Sequence, residues 1–373
     1  MTHVVLATGD LAPDRDDYDE SYVATRDVLR AADISFGQLE TSFATTGVRL
    51  PQARHAVLAR PDGADALARA GFDIISMAGN HVLDWGNDAF FETKANLERA
   101  GMKVVGAGAD IAEARRPVVT ELGDGTRVAM LAYSSILPQC YWADERRPGC
   151  APMRAHTLYE QIEHDQPGTP ARVHTYPHRE DLAALEEDIR AAKRQADVVL
   201  VSLHWGIHFV RATIADYQRD VARAAIAAGA DAILGGHAHI LKGCELIDGR
   251  PVYYSLCNFA TDLRMDPAHA ASRSFNEIRV LAEEWEPDFE SLYNFPKASR
   301  LSMVARLEIA QGRIVRSGFL PLYIDRDAVP RFVDPGSARH AEVIDYMSAV
   351  TQEAGLNARY RTGAAMVELE AAA

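Results

Sequence analysis

Six short apolar runs rich in β-branched residues recur along this chain, and most of them stop at a polar side chain that could bind a metal ion. The runs are His3–Thr8, Asp33–Leu39, Phe72–Met77, Arg127–Tyr133, Val198–Leu203 and Ala232–Leu234, each reading as a buried strand. Between them, Tyr22–Ala32, Gly63–Ala70, Asp88–Ala100, Arg179–Ala196 and Ile214–Ala228 carry helical spacing. Gly71, Gly101 and Gly229 follow such stretches, where a C-cap belongs. Alternating strand and helix predicts an α/β fold with sheet buried under helices.

Two regions break the pattern. Leu137–His178 is rich in Pro, Arg and aromatic residues with weak periodicity, and reads as an irregular insertion over the site. Thr261–Arg300 also reads as irregular. Beyond it, Met303–Ile309 and Ile314–Pro321 form a predicted hairpin, and Ser337–Leu356 a predicted helix. The expected organisation is one domain over residues 1–330, with an insertion at 137–178, then a C-terminal helical tail at 331–373.

Charge narrows the function. The 373 residues include 39 Lys and Arg against 53 Asp and Glu, a net charge of −14. A surface so acidic is unsuited to tracking nucleic-acid phosphates or to anionic membranes, so neither partner is expected. No run approaches the apolar length of a membrane span. The start, Met1 to Asp10, has neither a basic n-region nor a long apolar h-region, and the chain reads as cytoplasmic. Cys140 and Cys150 are close enough in sequence to bridge, but free thiols in a reducing compartment are the favoured reading.

The chemistry sits at the strand ends. Asp10 follows VVLATG, Glu40 follows ISFGQL, Asn80 and His81 follow DIISMAG, His204 follows VVLVSL, and His237 and His239 follow AILGG. Ligands of open α/β sheets bind outside the carboxyl ends of strands, where loops converge. A lone His is usually a satisfied buried side chain, and a lone Asp after a strand is usually a turn residue. Five strand ends carrying metal-competent groups point instead to one site. Carboxylate, amide oxygen and imidazole together suit Mn, Fe or Zn, as one or two ions. A bridging carboxylate can hold two ions about 3.5–4 Å apart.

In that order, TGD (8–10), LET (39–41), AGNHVLDWG (78–86), SLHWG (202–206), GGHAHILKGCE (235–245) and YSLCNF (254–259) resemble the CapA-type poly-γ-glutamate capsule family, a branch of the calcineurin-like metallophosphoesterases. The resemblance implies a four-layer α-β-β-α sandwich with two mixed sheets. It implies that Asp10, Glu40 and His239 hold one metal, and that Glu40, Asn80, His204 and His237 hold the second. Glu40 would bridge, His81 would be a non-ligand acid, and Asp84 would orient His81. The implied function is a metal-dependent hydrolase whose activated water attacks a phosphoester or an amide (γ-glutamyl or peptide) bond. A peptide epimerase on the same fold and a non-catalytic polymer-binding protein are the alternatives. The sequence departs from the pattern at Ala12, where the wider superfamily has a histidine, and at Cys257, where a glycine is common.

Other candidates are weaker. His208 and Arg211 lie shortly after His204 and are candidate contacts for a small-molecule or peptide substrate with anionic groups. Lys242 is a further candidate cation, with surface solvation the commoner fate. Trp85, Trp142 and Trp205 could line a pocket, though packing is the favoured role. Gly106–Asp110 lacks the third glycine of a dinucleotide fingerprint. Ser202 and Ser255 lack a nucleophile elbow.

Overall fold

The computed structural model describes residues 1–282 and 284–371. Its first sheet is built around His3–Ala12. On one side Ile34–Leu39, Ile74–Ser76 and Lys103–Val105 follow in parallel. On the other, Leu301–Ala310 and Arg313–Ile324 pair antiparallel, and Val367–Ala371 with Ala358–Thr362 completes that edge. Asn258–Thr261 pairs with the last residues of His3–Ala12, matching Asp10 to Asn258.

The second sheet places Val198–His204 between Arg127–Ser134 and Ala232–Gly236, all parallel. Arg250–Tyr253 extends it in parallel, and Cys244–Ile247 and Val118–Glu121 close its edges antiparallel. Both sheets are therefore mixed.

Side-chain alternation explains the layering. Val198 and Leu200 join Val5, Phe36 and Ile75 in the core that links the sheets, while Val199, Val201 and Leu203 pack against Leu185, Ile189, Val221 and Ala225 of the helices Arg179–Lys193 and Asp216–Ala228. A strand buried on both faces reads as an unbroken apolar run, which is why these segments are legible in the sequence. Helices Asp62–Ala70 and Gly86–Arg99 bring Leu67, Phe90 and Leu97 to the first sheet's core. The result is the expected α-β-β-α sandwich.

Three expectations need correction. The C-terminal segment is more than a helical tail: after the helix Ala338–Glu353, two strands add to the first sheet and bury Val367. The insertion carries an antiparallel pair, Ala155–Glu160 with Arg172–Pro177. Tyr22–Ala32 forms only a 3-10 turn at Tyr18–Tyr22 and a short helix at Arg26–Arg30. No described helix is long and apolar enough to cross a membrane.

Candidate metal centre

Pairing of the first sheet brings Asp10, Glu40 and Asn258 together, and the second sheet delivers His204, His237 and His239. Donor atoms of Glu40, His204 and His237 lie within 4.8 Å of one another, as do those of Asp10, Glu40 and His239. Glu40 belongs to both groups. All five side chains are buried. His204 Nε2 lies 2.6 Å from Asn80 Oδ1 and 3.1 Å from Glu40 Oε1. His239 Nδ1 lies 3.4 Å from Asp10 Oδ2, and its Nε2 3.8 Å from Glu40 Oε2.

The backbone is bent to reach this arrangement. His237 and His239 have φ of 86° and 53°, positive values that cost a non-glycine residue energy and cluster at functional sites. The His237 amide donates to Asp10 Oδ2 at 3.0 Å, which ties the bend to the first sheet. A Cβ at Gly236 would sit 2.8 Å from Asp10 Oδ1 and 3.5 Å from His204 Nδ1, so the glycine keeps the space between these donors clear.

The donor set fits a divalent cation. Asp10 Oδ1, Glu40 Oε1, His204 Nδ1 and His237 Nδ1 are buried without hydrogen-bond partners. Each such group costs about 1–3 kcal/mol when left unsatisfied. Burial and the neighbouring Glu40 carboxylate push Asp10 well above the usual range. Burial opposes ionisation of Glu40 too, but the imidazoles of His239 and His204 outweigh it and hold Glu40 low. Burial lowers His237 and His239, which favours the neutral form that metal ligation requires.

Beside the centre, His81 Nδ1 lies 2.6 Å from Asp84 Oδ2, and the Tyr141 hydroxyl donates to Asp84 Oδ1 at 2.9 Å. Burial works against protonation of His81, yet the Asp84 hydrogen bond prevails and raises it. His81, His208 and His239 line a cavity of about 100 Å³ together with Glu40, Phe209, Trp285 and Phe295. The His208 ring packs 3.9 Å from that of His237, and its Nε2 is buried without a partner.

Other candidates fall elsewhere. Arg211 does not face the centre: it pairs with Glu353 at 2.8 Å and lies over Tyr346, because the C-terminal helix offers a carboxylate close by. Lys242 is buried and donates to the carbonyls of Val210 and Thr213, and burial pushes it down to about 8. Trp205 packs on Tyr254 and donates to its carbonyl. The buried Cys257 has φ of 66°, which accounts for a glycine being common there, and burial pushes its thiol up, away from a nucleophile's range. All four cysteines are free.

Asn258 lies within the YSLCNF segment but has no role of its own legible there, and Tyr141 carries no sequence signal. Asn258 Oδ1 lies 2.7 Å from His239 Nδ1 while its amide donates to the Tyr293 hydroxyl at 2.8 Å. Only the pairing of Asp10 with Asn258 reveals this role. Tyr141 sits in the insertion, where periodicity gives no signal.

Fold and donor set together define a class: a four-layer α/β protein whose two sheets converge on a carboxylate–imidazole cluster suited to metal. The description "Bacterial capsule synthesis protein PGA_cap" matches residues 4–263. The chain belongs to that family. A probable polyglutamine synthesis accessory protein of Mycobacterium tuberculosis is 31% identical over 256 residues, covering 67% of this chain and 61% of the relative. The PGA biosynthesis protein CapA of Bacillus subtilis is 27% identical over 191 residues, covering 51% and 43% respectively. The chain thus spans less than two thirds of the length of these relatives. Among solved structures, the calcineurin-like phosphoesterase YfkN of Bacillus subtilis aligns over 95% of this chain and 97% of its own, at 14% identity and a TM-score of 0.41.

Proposed function

We propose that the protein is a metal-dependent hydrolase acting on a phosphoester or an amide bond. The observation that carries this reading is the set of four buried, unpartnered donor atoms around Glu40. Asp10, Glu40 and His239 would hold one ion, and Glu40, Asn80, His204 and His237 a second. Mn, Fe or Zn bound there would supply Lewis acidity and lower the pKa of a water molecule.

The chain's own groups do the rest. Asn258 accepts the Nδ1 proton of His239, which leaves Nε2 free to ligate. Asp84 accepts from His81 Nδ1 and is itself fixed by Tyr141. Asp84 thereby favours the protonated form of His81, which would give a proton to a leaving group or stabilise an oxyanion. Phe209, Trp285 and Phe295 exclude water from one side of the cavity. The relatives' names speak of capsule and polyglutamine synthesis, so γ-glutamyl amides belong beside phosphoesters among the substrates to test. Four free thiols suit a cytoplasmic setting.

Elemental analysis coupled to a screen of both substrate classes tests the reading. Between one and two equivalents of transition metal and metal-dependent turnover are expected. His81→Ala should retain metal while losing about 10²–10⁴ in rate. Turnover by metal-free protein, or metal-loaded protein inert on both classes, would overturn the proposal.

A further inference from the structure

Next to the metal-site cavity lies an open groove of about 730 Å³ lined by Arg49, Arg54, Arg264 and Arg273. In a chain of net charge −14, four guanidinium groups on one groove run against the overall field. The carboxylates there are largely engaged. Asp262 is held by the buried Arg15, whose Nε donates to it at 3.0 Å, and by the amide of Asp14 at 2.8 Å. Glu277 is shared by Arg273 at 2.6 Å and Arg54 at 3.6 Å. Asp14 also lines the groove, and burial raises it towards the neutral form. Arg264 is exposed and makes no side-chain hydrogen bond or ion pair among the described residues. Arg49 commits Nη2 to the Ala53 carbonyl at 3.1 Å.

Groove and cavity adjoin across a shared wall. His55, Val57, Asp262 and Leu263 line both. His55 marks the junction, with φ of 49° and its ring stacked on His269 at a centroid distance of 4.9 Å. Its Nδ1 lies 3.1 Å from His269 Nε2. Burial pushes His55 down to about 4, so its ring carries no charge at neutral pH.

We propose that the arginine groove is an anion subsite: it holds carboxylate or phosphate groups of the substrate beyond the reacting bond, which lies past His55 under His81 and His239. The inference rests on the hydrolase reading for where the bond is cut, but binding in the groove needs no metal.

Isothermal titration of the full chain, chelator-treated and metal-loaded, tests it with a short oligo-γ-glutamate, inorganic tripolyphosphate and a neutral oligoglutamine. Both anionic probes should bind the chelated protein more tightly than oligoglutamine, and the tighter of the two identifies the anion preferred. Arg264→Gln and Arg273→Gln should each raise Kd about two- to fivefold, as exposed ion pairs do, and more strongly at low salt. Arg359→Gln, at the far edge of the first sheet, should change nothing. Unchanged Kd in both groove variants, an equal loss in Arg359→Gln, or binding seen only with metal would overturn the subsite. Probe binding by a metal-loaded protein without turnover sinks the hydrolase reading alone. Turnover with unaltered Kd in the groove variants sinks the subsite alone.

Discussion

Asn258 orients His239 through one hydrogen bond. Its Oδ1 accepts from His239 Nδ1, and its amide is oriented in turn by the Tyr293 hydroxyl, which donates to the Ser299 carbonyl at 2.7 Å. Without that acceptor His239 is free to take the other tautomer and turn its donor nitrogen away from Glu40. Asn258→Ala should therefore weaken metal affinity about 10- to 100-fold, the usual effect of losing a group that orients a ligating histidine. Competition with a coloured chelator measures it; unchanged affinity would show that His239 is oriented by packing alone. The strand-end donors were legible because a charged or polar side chain after an apolar run is conspicuous. Asn258 was not, since a neutral amide at the start of a strand looks like any turn residue until Asp10 is paired with it.

Elements were readable where both faces are buried and hidden where charged residues interrupt the apolar run. Val198–His204 announces itself by seven consecutive buried residues. The closing pair Ala358–Thr362 and Val367–Ala371 does not, because Arg359, Arg361, Glu368 and Glu370 break the apolar pattern on a sheet edge. Packing between elements also explains Gly235. A Cβ there would lie 2.3 Å from the Tyr254 carbonyl oxygen and 2.6 Å from Trp205 Nε1, within the hydrogen bond those two share. Gly235→Ala should destabilise by about 1–3 kcal/mol, as overpacking does, read as a lower midpoint in urea. At the start of His3–Ala12, Asp33 accepts from the Val4 amide at 2.7 Å and lies 2.7 Å from His3 Nδ1. Burial opposes ionisation of Asp33, but these two hydrogen bonds win and lower it. A depressed carboxylate stabilises the fold above its unfolded pKa of about 3.9, and that contribution disappears as pH falls through the lower folded value. The Tm difference between the wild type and Asp33→Asn should accordingly persist at pH 5 and shrink below pH 4; a difference independent of pH would mean that Asp33 acts through shape rather than charge.

At the scale of the whole molecule, the candidate centre sits where two sheets meet, so an ion bound there would fasten one to the other. Asp10 and Glu40 come from the first sheet's strand ends, and His204 and His237 from those of the second. Without a cation, burial and mutual repulsion drive Asp10 towards its protonated form, and several donors stay unpartnered. An ion bound there would remove both penalties only in the folded state, because the unfolded chain scatters these residues across more than two hundred positions of sequence. Stability should then rise by mass action, about 4 kcal/mol at a metal concentration a thousandfold above Kd. Calorimetry should show Tm climbing with free metal and falling on chelation. In Glu40→Gln the dependence should largely vanish, because that carboxylate belongs to both donor groups. A Tm indifferent to metal in the wild type would mean that the sheets are held by their shared apolar core alone, and that the cluster of carboxylates and imidazoles between their ends does not take up an ion.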